Sequence, residues 1–500
     1  MDVAVNAKQD VDQSVTDFDV LIVGAGISGI DAAYHLQQEC PGKSFALLET
    51  QETFGGTWWT HKYPGIRSDS DLFTFGYGWK PWSGPPIATA EEILSYLDEV
   101  LDEQDIRRHI RFNREIKKAV WSSDEKRWTL DVLCRDSGET VQFTCNFLWM
   151  CQGYYRHSEG YTPDFPGMDR FQGQIVHPQT WPEDLDYKGK NVLVIGSGAT
   201  AATIVPAMAE DCASMIMLQR SPTYFFAAPN RNEIADMLRG LDIPAEWTHE
   251  ITRQKILQDQ QLITKRSFDD SEALKQELIA GAKAYLGDDF DVEQHFTPSY
   301  RPWHQRLAFL PDGDLFKGLR AGAAEVVTDQ IDTFTENGIL LKSGRELKAD
   351  IIITATGFNL NVLGDIEFDI DGETLNFQDR WSHRNVMFSG IPNMAWVFGY
   401  LRASWTMRAD LVSAYVCRLL NHMSEKGADM VVPELREEDK DMPALEWIAE
   451  ENFNAGYLRR KIEIMPKQGD REPWVHHQDY FTEKDLLPNS DLDDGTLIYK

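Results

Sequence analysis

Residues 17–38 read Asp17-Phe-Asp-Val-Leu-Ile-Val-Gly24-Ala-Gly26-Ile-Ser28-Gly29-Ile-Asp-Ala-Ala-Tyr-His-Leu-Gln-Gln38. The short apolar run up to Val23 is what a parallel strand buried on both faces requires. Three glycines follow in the pattern G-x-G-x-x-G, and Ile30 to Gln38 continues as a helix. Gly24 permits the tight turn, Gly26 lets the backbone approach a pyrophosphate, and Gly29 lets helix and strand pack closely. Free N–H groups at the helix start, Ser28 among them, then face the phosphates. On its own the pattern is weak. It gains force from what surrounds it.

Downstream, Ser44-Phe-Ala-Leu-Leu-Glu49 reads as a second strand that ends in an acid about 20 residues past the last glycine, placed to accept the hydroxyls of an adenosine ribose. An acid there also repels a 2′-phosphate, so the first site is expected to hold FAD rather than NADP. The arrangement recurs later. Lys190-Asn-Val-Leu-Val-Ile195 is another buried parallel run, followed by Gly196-Ser197-Gly198-Ala199-Thr200-Ala201, where Ala in the third position still allows close helix packing. Its next strand, Ser214–Gln219, ends in Arg220-Ser221 instead of an acid. A cation and a hydroxyl suit a 2′-phosphate, so the second nucleotide is expected to be NADPH. The fold class is therefore α/β, with two Rossmann-like dinucleotide-binding domains.

Composition bounds the remaining possibilities. The 500 residues carry a formal net charge of −31 and 42% apolar residues. Such a surface repels phosphate backbones and anionic headgroups, which argues against nucleic acid and against electrostatic docking on anionic membranes. No apolar run approaches the roughly 18–20 residues of a spanning helix, and the first residues, acidic and polar, lack the apolar core of a secretory signal. Six scattered cysteines with no C-x-x-C suit a reducing cytoplasm. They weigh against a metal site and against a flavin-disulfide reductase, which needs a close redox pair.

Between the two loops lies Phe171-Gln-Gly173-Gln-Ile-Val-His177-Pro-Gln-Thr-Trp181-Pro182. Phe171, Gly173, His177, Trp181 and Pro182 match F-x-G-x-x-x-H-x-x-x-W-P, a pattern that resembles the fingerprint of the type I Baeyer–Villiger monooxygenases of the flavin-containing monooxygenase superfamily. Relatives that oxygenate only nitrogen and sulfur usually carry Tyr or Phe where Trp181 stands. The resemblance runs from about residue 18 to about 490. It implies that the segment links the FAD and NADP domains and that His177 couples their movements. In Gly55-Gly56-Thr57-Trp58-Trp-Thr-His-Lys-Tyr-Pro-Gly-Ile-Arg-Ser-Asp69 it implies a clasp on the flavin, with Gly56, Thr57, Trp58 and Asp69 against FAD. Ile116, ending the strand expected over Ile110–Ile116, would touch the adenine. Arg306, in the proline-punctuated loop from Phe296, resembles the active-site arginine, held and oriented by Asp69. Gln305 stands where many relatives carry a lysine that helps hold the 2′-phosphate, so discrimination for NADPH should be moderate. The activity implied is oxidation of ketones to esters or lactones with O₂ and NADPH, and also of thioethers or thioamides. Two other readings stay open: a flavin monooxygenase acting only on sulfur or nitrogen, and an FAD-holding sensor without turnover.

The domain reading that follows has a leader over 1–16, a first FAD part over 17–157 and a first NADP part over 158–221. A helical insertion within the NADP domain covers 222–297, the second NADP part 298–349, the second FAD part 350–490 and a tail 491–500. Ala90–Glu103 and Met407–Met423 read as amphipathic helices. From Pro433 onward the chain, acidic and proline-containing, is expected to be partly ordered at best.

Overall fold

The strand Asp17–Val23 is placed near the middle of a nine-stranded sheet in the computed structural model, which describes residues 13–500. Residues 1–12, most of the expected leader, lie outside the described residues. Asp17–Val23 pairs in parallel with Phe45–Leu48 on one side and with Thr140–Met150 on the other. Helices Ile27–Glu39 and Trp405–Lys426 cover one face, so the run must be apolar on both sides. The early part of Thr140–Met150 also joins an antiparallel meander with Arg127–Cys134 and Arg114–Ser122. Arg127–Cys134 alternates half-buried and buried side chains along its length, the signature of a sheet with one face on the core. Helix Ala90–Glu103 begins where expected, at a reciprocal cap between Thr89 and Glu92.

The strand expected over residues 110–116 is broken. Ile110–Arg111 pairs with Leu47–Leu48, whereas Arg114–Ser122 enters the meander. Asn113 between them has φ 57°, a left-handed conformation that asparagine tolerates and that turns the chain out of the parallel layer.

A second sheet has five strands, all parallel, in the order Glu325–Thr328, Ser214–Gln219, Asn191–Ile195, Ile351–Thr354, Gln174–Val176. Ile351–Thr354 corrects the expected boundary at residue 350: it lies inside this sheet, between the glycine-loop strand and the strand that carries Val176. All four of its residues are buried, as a central parallel strand demands. The chain returns to the first body only after it. There Tyr155–Gly160, going out, pairs antiparallel with Phe358–Leu360, coming back.

The helical insertion is not confined to the second body. Helix Ser271–Leu286 gives Ala282 and Leu286 to the second core. Helix Ala245–Asp269 instead buries Thr248, His249, Thr252 and Arg253. Arg253 donates to the carbonyls of Phe73, Thr74 and Gly76 at 2.9, 3.2 and 3.3 Å, and the Trp82 backbone N–H donates to His249 Nδ1 at 3.1 Å. These partners belong to the first body, so the insertion braces both.

The C-terminal stretch also departs from expectation. Trp447, Phe453 and Leu458 are built into the first body's core. Helix Tyr480–Asn489 packs on Trp405–Lys426, and Leu497–Tyr499 pairs with Val431–Pro433. Most of its acids face water, Asp439 and Glu483 being buried against Arg436 and Arg408, while widely spaced apolar side chains supply the burial, which an average over composition hides. Among the described residues no helix is long and apolar enough to cross a membrane.

Candidate active site

A single cavity of about 880 Å³ runs from the first glycine loop to the second. At the first loop, a side chain on Gly29 would lie 1.9 Å from the Gly24 carbonyl oxygen, so only glycine lets the helix start this close to the strand. Gly24, Gly26 and Ser28 line the cavity, and Ser28 Oγ accepts from Trp405 Nε1 at 2.8 Å. Glu49 is buried at the end of its strand, where its carboxylate accepts from the N–H groups of Ala25 (2.7 Å) and Gln51 (2.8 Å). Burial raises its pKa, and the N–H donors offset part of that rise. Gly56, Thr57, Trp58, Asp69 and Ile116 line the same cavity, with Thr57 Oγ1 and the Tyr155 hydroxyl 2.6 Å apart.

Several buried polar atoms on this wall lack partners within the protein. Both amide atoms of Gln152 and Nε2 of His61 make no hydrogen bond. Buried polar groups are nearly always satisfied, so unpartnered ones lining a cavity mark where a polar ligand belongs. Together with the glycines that bare the backbone, the donor set fits a dinucleotide with a flat heteroaromatic end. The second loop offers a matching cradle. Gly196, Ser197, Gly198, Ala199 and Thr200 line the cavity, and no protein atom stands within 4 Å of where a Gly198 side chain would point. Ser197 Oγ lies 2.8 Å from Thr223 Oγ1. Ala201 is buried behind the loop in the second core.

Asp69 and Arg306 meet in the cavity from different bodies. Arg306 donates through Nε to Asp69 Oδ2 at 2.5 Å and through Nη2 to Oδ1 at 2.8 Å, a two-toothed pairing. Nη2 also reaches Ser70 Oγ at 3.0 Å, and Nη1 the Leu401 carbonyl at 3.3 Å. Burial alone would push the Asp69 carboxyl up; the guanidinium outweighs it and holds the group below its ordinary value. For Arg306 burial works toward loss of the proton, and Asp69 more than reverses it. The result is a cation that stays charged at any working pH, with its plane fixed. Tyr154 and Tyr457 flank it.

The remaining residues singled out in the sequence stand off the cavity wall. Arg220 and Ser221 are exposed at the end of their strand; Arg220 makes no ion pair among the described residues. His177 lies behind the wall. Its Nδ1 accepts from Gln179 N–H at 3.1 Å, so its Nε2 carries the proton and donates to the Gly357 carbonyl at 3.2 Å. Burial holds the imidazole below its ordinary pKa, so it is neutral at pH 7. Tyr161 N–H donates to the same Gly357 oxygen at 3.0 Å. His177 thus ties the linker to the returning chain and touches no reacting group. A side chain on Gly160 would lie 1.8 Å from its ring. Phe171 and Trp181 pack on the second body, Gly173 runs beside Asp350, and Pro182 is exposed.

Gln152, Tyr154, Tyr457 and Arg460 line the cavity without having been singled out. Gln152 and Tyr154 flank Gly153 just after the apolar strand Thr140–Met150 and were within reach of a sequence reading. Tyr457 and Arg460 sit in the acidic C-terminal stretch, where no periodicity or motif marks them.

Known proteins resemble this chain over nearly all of its length. A family model described as flavin-binding monooxygenase-like matches residues 82–233, and one described as an NAD(P)-binding Rossmann-like domain matches residues 22–99. The FAD-containing monooxygenase EthA of Mycobacterium tuberculosis is 46% identical over 484 residues, covering 96% of this chain and 97% of that protein. Among solved structures, ε-caprolactone-bound cyclohexanone monooxygenase superposes with a TM-score of 0.70 at 20% identity, over 85% of this chain and 91% of that one. A complex of OTEMO with FAD and NADP gives 0.68 at 22% identity, over 85% and 88%. These two share the fold.

Proposed function

The chain belongs to the FAD-containing monooxygenases, and from that premise we propose that it converts ketones to esters or lactones with O₂ and NADPH and also oxidises thioethers or thioamides. FAD would lie on the Gly24 loop with its ribose at Glu49 and its flavin toward Gly56, Thr57, Trp58 and Asp69. NADPH would lie on the Gly196 loop with its 2′-phosphate toward Arg220 and Ser221. When bound, the two cofactors supply hydride transfer and the activation of O₂.

One observation carries the reading: a guanidinium, gripped at two points by Asp69, set in the cavity between the two loops. Oxygen insertion beside a carbonyl passes through a state with negative charge on oxygen. A fixed cation that cannot lose its proton stabilises that charge without reorganising. Four of the five N–H groups of Arg306 are committed to Asp69, Ser70 and Leu401, which leaves one for the substrate oxygen. Asp69 sets the plane of the guanidinium, and Tyr154 and Tyr457 stand beside it. Five of the six cysteines are buried and all are free, which fits work in a reducing cytoplasm.

The deciding experiment gives the FAD-loaded enzyme a methyl ketone and a thioether in separate reactions with NADPH, with products identified by mass spectrometry. Ester from the ketone, together with sulfoxide from the thioether, is expected. Sulfoxide without ester would overturn the reading in favour of a sulfur- or nitrogen-only oxygenase, and NADPH left unconsumed by either substrate in favour of a non-catalytic FAD protein.

A further inference from the structure

Six arginines line the cavity, and five of them are neutralised. Arg67 pairs with Asp314, Arg114 with Asp136, Arg135 with Glu115, Arg156 with Asp365 and Glu159, and Arg306 with Asp69. Arg460 has no carboxylate within ion-pair distance among the described residues. It follows the short helix Gly456–Arg459 and is exposed, so it stands at the mouth of the cavity.

The side chain is nonetheless held in place. Its guanidinium carbon lies 3.6 Å over the Tyr161 ring, and Nη2 donates to the Phe358 carbonyl at 3.2 Å. Gly357 and Gly456 both lie against the guanidinium, where a side chain would be in contact with it at 3.4 Å. Partial burial draws its pKa below the ordinary arginine value, as happens when no anion compensates. One helical turn earlier, Tyr457 stands against Arg306. The uncompensated cation therefore overlooks the reacting end of the cavity, with most of its donors uncommitted.

The whole molecule carries a net charge of −31, which turns small anions away at long range. A single cation at the mouth then favours an anion that also has an apolar body to bury inside. We infer that Arg460 is a specificity-determining residue that receives the carboxylate of an amphipathic keto acid, whose ketone reaches Arg306 while its charged end stays at the mouth. The inference rests on the proposed ketone oxidation.

The test compares medium-chain oxoalkanoic acids that carry a methyl ketone with their own methyl esters, in the FAD-loaded enzyme. An ion pair at a partly solvated rim is worth about fivefold, so wild type should favour acid over ester in kcat/KM by about that factor. In Arg460→Ala the ratio should fall to one or below, and in Arg460→Lys it should largely survive. A ratio that is the same in wild type and Arg460→Ala would overturn the assignment. So would a raised KM for NADPH with the ratio unmoved, since Arg460 would then serve the phosphates of the nucleotide. A second measurement needs no turnover: a medium-chain alkanoate should raise Tm more than the matched alcohol in wild type and not in Arg460→Ala. If no ketone is oxidised, the proposed function fails, while this thermal shift still decides whether Arg460 binds a carboxylate; equal shifts in wild type and variant would overturn it.

Discussion

At the scale of single residues, the two cations assigned to the reaction separate by what they should change. Arg306 is asked to stabilise charge on the substrate oxygen, which hydride delivery does not require. Arg306→Ala should lower ester formation by about a hundredfold or more while NADPH is still oxidised, and parallel assays of product and NADPH check this. Ester formed at an undiminished rate would make Arg306 a structural ion-pair partner of Asp69. Arg220 stands unpaired at its strand end, and a charge-assisted hydrogen bond contributes roughly 1.5–3 kcal/mol. Arg220→Ala should therefore raise KM for NADPH about ten- to a hundredfold and leave KM for NADH nearly unchanged; equal losses with both coenzymes would assign Arg220 to the loop's own fold. The residues that carry these arguments were legible in the sequence because each sits at a fixed offset from a glycine loop or in a motif. Tyr457 and Arg460 were not, because cavity walls are assembled from segments hundreds of residues apart, and no local pattern records that.

Secondary-structure elements were legible where one apolar period dominated. The glycine-loop strands and the helix Ala90–Glu103 fall where the sequence placed them. The long helix Ala245–Asp269 falls in the stretch read as helical, but its partner was not legible: the residues it buries are mostly polar, and two of them, Arg253 and His249, meet carbonyls and an N–H group of the first body. No hydrophobic stripe announces such an interface. It should announce itself in pH dependence instead. Burial lowers the His249 pKa from 6.5 to about 4, assisted by Arg253 and opposed by Glu250 and the contact with Tyr77. The unfolded chain therefore takes up a proton before the folded one does. The stability tied to the neutral ring is complete above pH 6.5 and is lost as pH falls toward 4. His249→Gln, which keeps an acceptor for the Trp82 N–H, should narrow the gap to wild type over that window by up to about 1.4 kcal/mol per pH unit. Denaturant titrations of both proteins at pH 7 and pH 5 measure it. A gap that does not change would mean that the ring is solvated.

For the molecule as a whole, the sequence announced two nucleotide-binding bodies but misplaced their border and underrated the end of the chain. The border was missed because Ile351–Thr354 is as apolar as a strand of either sheet, and only pairing shows which one it joins. At the end of the chain, Leu492 and Leu497 are buried, Asp494 pairs with Arg384 at 2.9 Å, and Thr496 Oγ1 lies 2.9 Å from His383 Nε2. Deleting residues 491–500 should cost about 3 kcal/mol or more, since it leaves a buried guanidinium unpaired and strips apolar contacts; thermal unfolding with FAD present checks it, and an unchanged Tm would show that the last strand contributes nothing. The same pairing logic bears on how the two bodies are joined. Gly160 and Phe358 are Cα partners across the ribbon by which the chain leaves the first body and returns to it. Everything between them is spliced into the first body at one point, like a guest seated in a host's loop. Entry and exit lie side by side, so the gap left by excising the guest is one that a few residues would span. A second nucleotide-binding body from another member of the family can be grafted between the same two positions without rethreading the host, provided that the helix carrying His249 and Arg253 onto Trp82 and Phe73 is kept.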